Sequence, residues 1–171
     1  MSTIKGKIWK YGDAVNTDVI FPGKYTYTVS DPSQMAQYAL EDLDPHFAKE
    51  VQPGDIIVGG ANFGCGSSRE QAVTCIKQAG VGAIVAKSFG RIYYRNCLNT
   101  ALPAIICAQA VDAVEHGDEM EIDLAAGIIK AKGAEFSFPP LPKAVMGIFS
   151  AGGLVPYTRR LLQEKEAGVS N

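Results

Sequence analysis

Three short apolar runs constrain this chain more than anything else in it: Asp55-Ile-Ile-Val-Gly-Gly, Val81-Gly-Ala-Ile-Val-Ala, and Pro103 to Cys107. Each is too short for a core helix and shows no polar alternation, so each reads as a strand buried on both faces. Helical patterns separate them. Ala72, Cys75, Ile76 and Ala79 recur at helical spacing and Gly80 stops them; Phe89, Ile92, Tyr93, Asn96 and Cys97 mark a second helical face. Strand–helix–strand–helix–strand forces parallel pairing with right-handed crossovers.

The flanks extend this frame. Ile4 to Trp9 alternates as I-K-G-K-I-W, a first strand. Val19-Ile20-Phe21 is a brief apolar run stopped by Pro22-Gly23, and Lys24 to Ser30 reads as an exposed loop. Ser30 or Asp31 can cap a helix with Pro32 in its first turn and Met35, Ala39 and Leu40 on its apolar side. A short helix is expected over Pro45 to Val51. Glu119 to Leu124, Ile128 to Lys132 and Glu135 to Phe138 are antiparallel hairpin material around Gly127. After the stiff Pro139-Pro140-Leu-Pro142 segment, helices are expected over Ala144 to Phe149 and Tyr157 to Lys165, and the last residues should fray. The expectation is one α/β domain over residues 1–171, a mainly parallel sheet with helices and an added antiparallel hairpin.

Charge and cysteine usage narrow the function. A net charge of −2 gives no electrostatic case for nucleic acid or an anionic membrane surface. No apolar run is long enough to span a bilayer, and Met1-Ser-Thr-Ile-Lys-Gly-Lys lacks the apolar core of a signal peptide. Cys65, Cys75, Cys97 and Cys107 show no C-x-x-C spacing, and Cys75 and Cys107 sit in apolar segments as core residues. A reducing cytosol is the expected setting, with no metal held by this chain.

The chemistry concentrates at Asn62 to Glu70, N-F-G-C-G-S-S-R-E, a strand-to-helix turn with two serines and an arginine where unpaired N–H groups collect. Four readings compete. A nucleotide site is incomplete, because Arg69 stands where a dinucleotide fingerprint has its third glycine and no Gly-Lys-Ser/Thr follows. A serine hydrolase lacks the G-x-S-x-G elbow, and both histidines, His46 and His116, lie in polar turns. Ser67-x-x-Glu70 fits a capping box with no further role. Last, Arg69 and Ser68 can bind a carboxylate while Ser67 acts as acid or base, its alkoxide stabilised by the helix N-terminus. That site needs an electrophile from elsewhere, most simply a partner subunit.

The same turn, with Asn16-Thr17-Asp18-Val-Ile upstream and Ser88-Phe-Gly-Arg-Ile-Tyr-Tyr-Arg-Asn and Gly152-Gly153-Leu-Val-Pro downstream, resembles the small subunits of 3-isopropylmalate dehydratases. These are detached swivel domains of the aconitase superfamily, and the resemblance runs in order from Ile4 to the terminal helix. It implies a swivelling β/β/α domain of the aconitase C-terminal type. It also implies a cytoplasmic hydro-lyase of leucine biosynthesis that isomerises a hydroxy-dicarboxylate by dehydration and rehydration. The [4Fe–4S] cluster would sit on a large subunit, with none bound by this chain. Ser67 would be the catalytic base; Ser68, Arg69, Thr17 and Asp18 would bind substrate. Lys24, Tyr25, Thr26, Tyr27 and Thr28 would form the specificity loop.

The loop departs from the Arg-Tyr-Leu common in that family, and Gln71 stands where a histidine is usual. An isopropylmalate-type substrate is expected. Homoaconitase-type and 2,3-dimethylmalate dehydratase small subunits are the alternatives, and a non-enzymatic phosphate- or nucleotide-binding module is the rival of another class.

Overall fold

The computed structural model describes residues 3–169. These residues build a seven-stranded sheet in the order β4-β3-β2-β1-β5-β6-β7. Strand β1 (Thr3–Lys10) pairs in parallel with β2 (Ile56–Gly59), which continues in parallel to β3 (Ala83–Ala86) and β4 (Ala104–Ile106). On its other edge β1 pairs antiparallel with β5 (Glu119–Asp123), which leads through β6 (Ile128–Ala131) to β7 (Ala134–Ser137). The sheet therefore changes sense at β1. The antiparallel addition is a three-stranded meander, and it shares the sheet evenly with the parallel half.

The apolar runs are uninterrupted because both faces of the parallel half are covered. Ile57, Ile84 and Ala86 point into one core, against Ala72, Val73, Cys75 and Ile76 of α4 (Gln71–Gln78) and Tyr93 and Cys97 of α5 (Arg91–Asn99). Ile56, Val58, Ala83 and Val85 point the other way, against Ala110 and Val111 and the apolar side of the meander, Met120, Ile122 and Ile129. Residues alternating along one strand thus serve opposite cores, as the two-residue period of a strand requires. Cys75, Cys97 and Cys107 are buried free thiols. No helix among the described residues is long and apolar enough to cross a membrane.

Several elements differ in detail from the sequence expectations. The Val19-Ile20-Phe21 run belongs largely to a single helical turn, α1 (Thr17–Ile20), capped by Asn16, whose side chain accepts from the Asp18 N–H. Asp31 caps α2 (Pro32–Met35), accepting from the Ser33 N–H at 2.9 Å. This segment tightens to a 3₁₀ turn over Ala36–Tyr38 and stops before Leu40, whose φ of 57° cannot continue a helix. Helix α3 (Phe47–Glu50) is the short helix expected near Pro45. Helix α6 (Ala108–Ala113) was not anticipated, because its six residues are too few to show a period. Helices α7 (Lys143–Ala151) and α8 (Leu154–Val169) complete the chain; the fraying expected at its end bears on positions 170 and 171, outside the described residues.

Candidate active site

The site forms where β1, β2 and β3 end. In sheets with parallel strands, ligands bind outside the carboxyl ends of the strands. Here the three loops leaving those ends are laced together by backbone bonds. The loop after β2 receives the loop after β1 through Thr17 N–H to the Cys65 carbonyl, and gives Gly64 N–H to the Val15 carbonyl, both 2.8 Å. On its far side Phe63 N–H donates to the Ser88 carbonyl at 3.0 Å, and Gly90 N–H donates back to Phe63 at 2.8 Å. Phe63 itself is fully buried and holds the loop to the core.

Two glycines let this lacing close. At Gly64 (φ 76°) a Cβ would stand 2.2 Å from the Tyr93 ring, so the turn can rest on α5 only without a side chain there. At Gly66 (φ 98°) a Cβ would stand 2.6 Å from Asn16 Oδ1. Both conformations are left-handed and favour glycine.

Gly66 also overturns the capping box. The chain turns sharply there and runs through Ser67, Ser68 and Arg69 without helical geometry. Helix α4 starts only at Gln71, with Glu70 as its N-cap and no side-chain capping bond. Ser67 therefore does not cap. Its hydroxyl and that of Ser68 are exposed, and neither makes a hydrogen bond among the described residues. From Gly66 to Gln71 no backbone N–H donates to another described residue. The expected store of free donors is present, but it belongs to an open turn of successive N–H groups ahead of the helix. Such a turn makes an anion-binding concavity.

Ser67 lines a cavity of about 370 Å³ with Asn62, Cys65, Gly66, Arg91 and Ile92. Neither histidine lines it: His116 accepts from the Lys10 N–H at 3.3 Å and lies edge-on to Trp9, while His46 pairs with Glu50 at 3.6 Å. A Ser–His pair is thereby removed from consideration. Arg91, quoted in the sequence only as part of a longer match, is the cation of this cavity. It makes no hydrogen bond or ion pair among the described residues, and position 91 at the start of α5 was the signal that could have singled it out.

Thr17 and Asp18 come to the turn from different directions. Thr17 is 1% exposed and lies beneath the serines, its hydroxyl donating to the Ser67 carbonyl at 3.0 Å. Asp18 is on the surface and accepts from Arg69 Nη1 at 2.8 Å. The Arg69 side chain is only 11% exposed. It also donates to the Phe21 carbonyl at 3.1 Å and to the Thr26 hydroxyl. These bonds do not exhaust the guanidinium's donors, so it can still reach a carboxylate.

The loop over residues 24–28 is more ordered than its composition suggests. A 3₁₀ turn covers Gly23–Tyr25. Lys24 is turned to acids outside the serine turn, Glu41 at 3.3 Å and Asp42 at 3.7 Å. The hydrogen bond to Glu41 raises its pKa. Tyr25 stacks on Tyr38 at 3.9 Å and donates to Glu41 at 3.2 Å. Thr28 donates back to the Lys24 carbonyl at 3.5 Å. Thr26 faces the serine turn, and Tyr27 stands 98% exposed.

Among the described residues no three His, Cys, Asp or Glu side chains gather to hold a metal. Cys75 and Cys97 are locked in the core, where burial pushes their thiols up and away from the thiolate a metal needs. The described residues therefore do not fit an iron–sulfur cluster.

Comparison with known proteins agrees with this architecture. A family model of the aconitase C-terminal domain matches residues 13–110. The 3-isopropylmalate dehydratase small subunit of Caldicellulosiruptor bescii is 51% identical over 162 residues, covering 94% of this chain and 97% of that protein. The isopropylmalate/citramalate isomerase small subunit of Methanocaldococcus jannaschii is 46% identical over 168 residues, covering 96% and 99%. A crystal structure of 3-isopropylmalate dehydratase from the same organism superimposes with a TM-score of 0.88 at 44% identity, covering 96% of this chain and 99% of that one. With its fold and nearly its whole length accounted for by such relatives, the chain belongs to the family of 3-isopropylmalate dehydratase small subunits, built on the aconitase C-terminal domain.

Proposed function

We propose that this chain is the small subunit of a hydro-lyase that interconverts 3-isopropylmalate and 2-isopropylmalate in leucine biosynthesis. The observation that carries the reading is the open serine turn. An exposed, unpartnered Ser67 stands among free backbone N–H groups on a cavity that holds a cation, with its carbonyl pinned from below by Thr17. The close relatives named above supply the reaction class.

In this mechanism Ser67 takes the proton from the carbon next to a substrate carboxylate while hydroxide leaves the neighbouring carbon. Ser67 keeps that proton as its hydroxyl, the hydroxide would be taken up by the Lewis acid that the partner's cluster would supply, and an unsaturated diacid is left. Rehydration returns the proton from Ser67 and places the hydroxyl on the other carbon. A serine alkoxide is a costly base in water; unpaired backbone N–H groups in the same turn can lower that cost. Ser68 and Arg69 hold the carboxylate. Thr17 orients Ser67, and Asp18 orients Arg69. The large partner subunit carries the [4Fe–4S] cluster. Residues 1–171 act as one domain, since β1 belongs to both halves of the sheet, and the setting is the cytoplasm.

The nucleotide-binding rival is disfavoured by the close relatives, which are named for a dehydratase and an isomerase. The test is co-purification with the large subunit and assay of 3-isopropylmalate. Wild type turns over only with its partner, and Ser67→Ala lowers kcat by at least about a hundredfold, the scale of a lost acid–base group, with assembly unchanged. Turnover by this chain alone, or a normal rate for Ser67→Ala, refutes the assignment.

A further inference from the structure

Arg69 can take one carboxylate and no more. Both N–H groups of Nη1 are spent, on Asp18 and on the Phe21 carbonyl, and Nη2 gives one to the Thr26 hydroxyl. That leaves Nε–H and one N–H of Nη2, the edge that fits a single carboxylate. A diacid brings a second. Nor does Arg69 line the cavity on which Ser67 stands.

Arg91 does line it. The cavity lies between the loop after β2, which gives Asn62, Cys65, Gly66 and Ser67, and the start of α5, which gives Arg91 and Ile92. The start of α5 is pressed onto that loop: Gly90 N–H donates to the Phe63 carbonyl at 2.8 Å, and a Cβ at Gly90 would stand 2.6 Å from the Gly64 carbonyl. Backbone packing thus fixes where Arg91 starts, while its guanidinium is bound to no other described residue. The lysines of the neighbouring loops are engaged, Lys24 by Glu41 and Asp42, and Lys87 by Asp112 at 2.6 Å. A guanidinium with no partner in its own chain gives up no ion pair when a carboxylate arrives.

We infer that Arg91 is a substrate-binding residue: it holds the second carboxylate of the diacid, the one Arg69 leaves unbound, in the cavity that Ser67 lines. The inference rests on the function proposed above and adds to it which side chain takes that carboxylate.

Arg91→Met keeps an unbranched side chain and removes the charge. With the large subunit present, KM for 3-isopropylmalate should rise about ten- to a hundredfold, the factor of one charge-assisted contact. The kcat should stay within about threefold, because the contact is made alike before and during proton transfer. Arg91→Lys keeps the charge without the fork and should recover part of the loss. Inhibition by 2-isopropylsuccinate, a diacid with no hydroxyl to lose, and by its two monoamides locates the contact. In Arg91→Met the diacid and one monoamide should weaken by the same factor as KM. The other monoamide, already without the carboxylate that Arg91 holds, should change by less than about threefold. Equal weakening of all three inhibitors, or of none, overturns the assignment. So does failure of Arg91→Met to assemble where wild type assembles, which would make Arg91 a contact to the partner instead.

Labelling of arginines with phenylglyoxal reads the contact without turnover. In the wild-type complex 2-isopropylsuccinate should slow modification of Arg91, followed by peptide mass spectrometry, and leave that of the exposed Arg159 unchanged. An active complex in which the diacid does not protect Arg91 overturns the assignment and leaves the proposed function standing. A complex that does not turn over 3-isopropylmalate refutes the proposed function, and protection then decides separately whether Arg91 holds a diacid.

Discussion

Replacing Gly66 by alanine tests whether the serine turn depends on its backbone geometry. Two effects add. An L-residue at φ 98° lies in the left-handed region, at a cost of roughly 1–3 kcal/mol. The new Cβ also overlaps Asn16, with Oδ1 at 2.6 Å and Nδ2 at 2.8 Å, so that side chain must swing away. Asn16 then loses its bond to the Asp18 N–H, a helix cap worth about 1 kcal/mol. The sum is about 2–4 kcal/mol, or roughly 5–15 °C in Tm for a chain of this length. Urea denaturation of Gly66→Ala, Asn16→Ala and the double variant separates the two parts. The double variant should lose about 1 kcal/mol less than the sum of the singles, because the cap can be lost only once. Gly12→Ala is the control: a Cβ there meets nothing within 4 Å, so no loss is expected. A loss below about 1 kcal/mol for Gly66→Ala, or strict additivity with Asn16→Ala, refutes the reasoning.

Thr17→Val leaves the Ser67 carbonyl without its buried donor and should lower stability by about 1 kcal/mol, whereas Thr17→Ser, which keeps the hydroxyl, should lie closer to wild type in both stability and kcat. Native thiol titration should show one fast cysteine: Cys65 alone is partly exposed, while Cys75, Cys97 and Cys107 are buried. Persistence of the fast phase in Cys65→Ala would show that the core opens.

The parallel half was legible because its strands are buried on both faces and show it as unbroken apolar runs. Ile56, Ile57 and Val58 need no partner residue to be recognised. The start of α4 was not legible. S-x-x-E has the spacing of a capping box whether or not the serine caps, and it is the left-handed Gly66 that carries the chain past that geometry before the helix begins. Ser67, Ser68 and Arg69 were visible as a cluster because they are adjacent in sequence. The bonds that support them were not: Thr17 and Thr26 entered only through the family resemblance, and their bonds to the turn exist only in the fold. Arg69 shows the difference: read alone it is a carboxylate ligand, and in the fold it is also a tie for Phe21 and Thr26. Arg69→Lys would therefore disturb the loop as well as the substrate contact, and is a poor measure of binding alone.

The change of sense at β1 also governs how the chain assembles. Its first strand is made first, yet both neighbours arrive late: Ile8 meets Ile56, and Lys7 meets Glu119. Neither the parallel half nor the meander can finish its pairing without those eight N-terminal residues in the centre. During synthesis a strand with two open edges must wait for most of the protein to emerge, and pairings so distant in sequence make for slow folding. A cut near the N-terminus, which would spare the serine turn entirely, would remove the strand that joins the two halves.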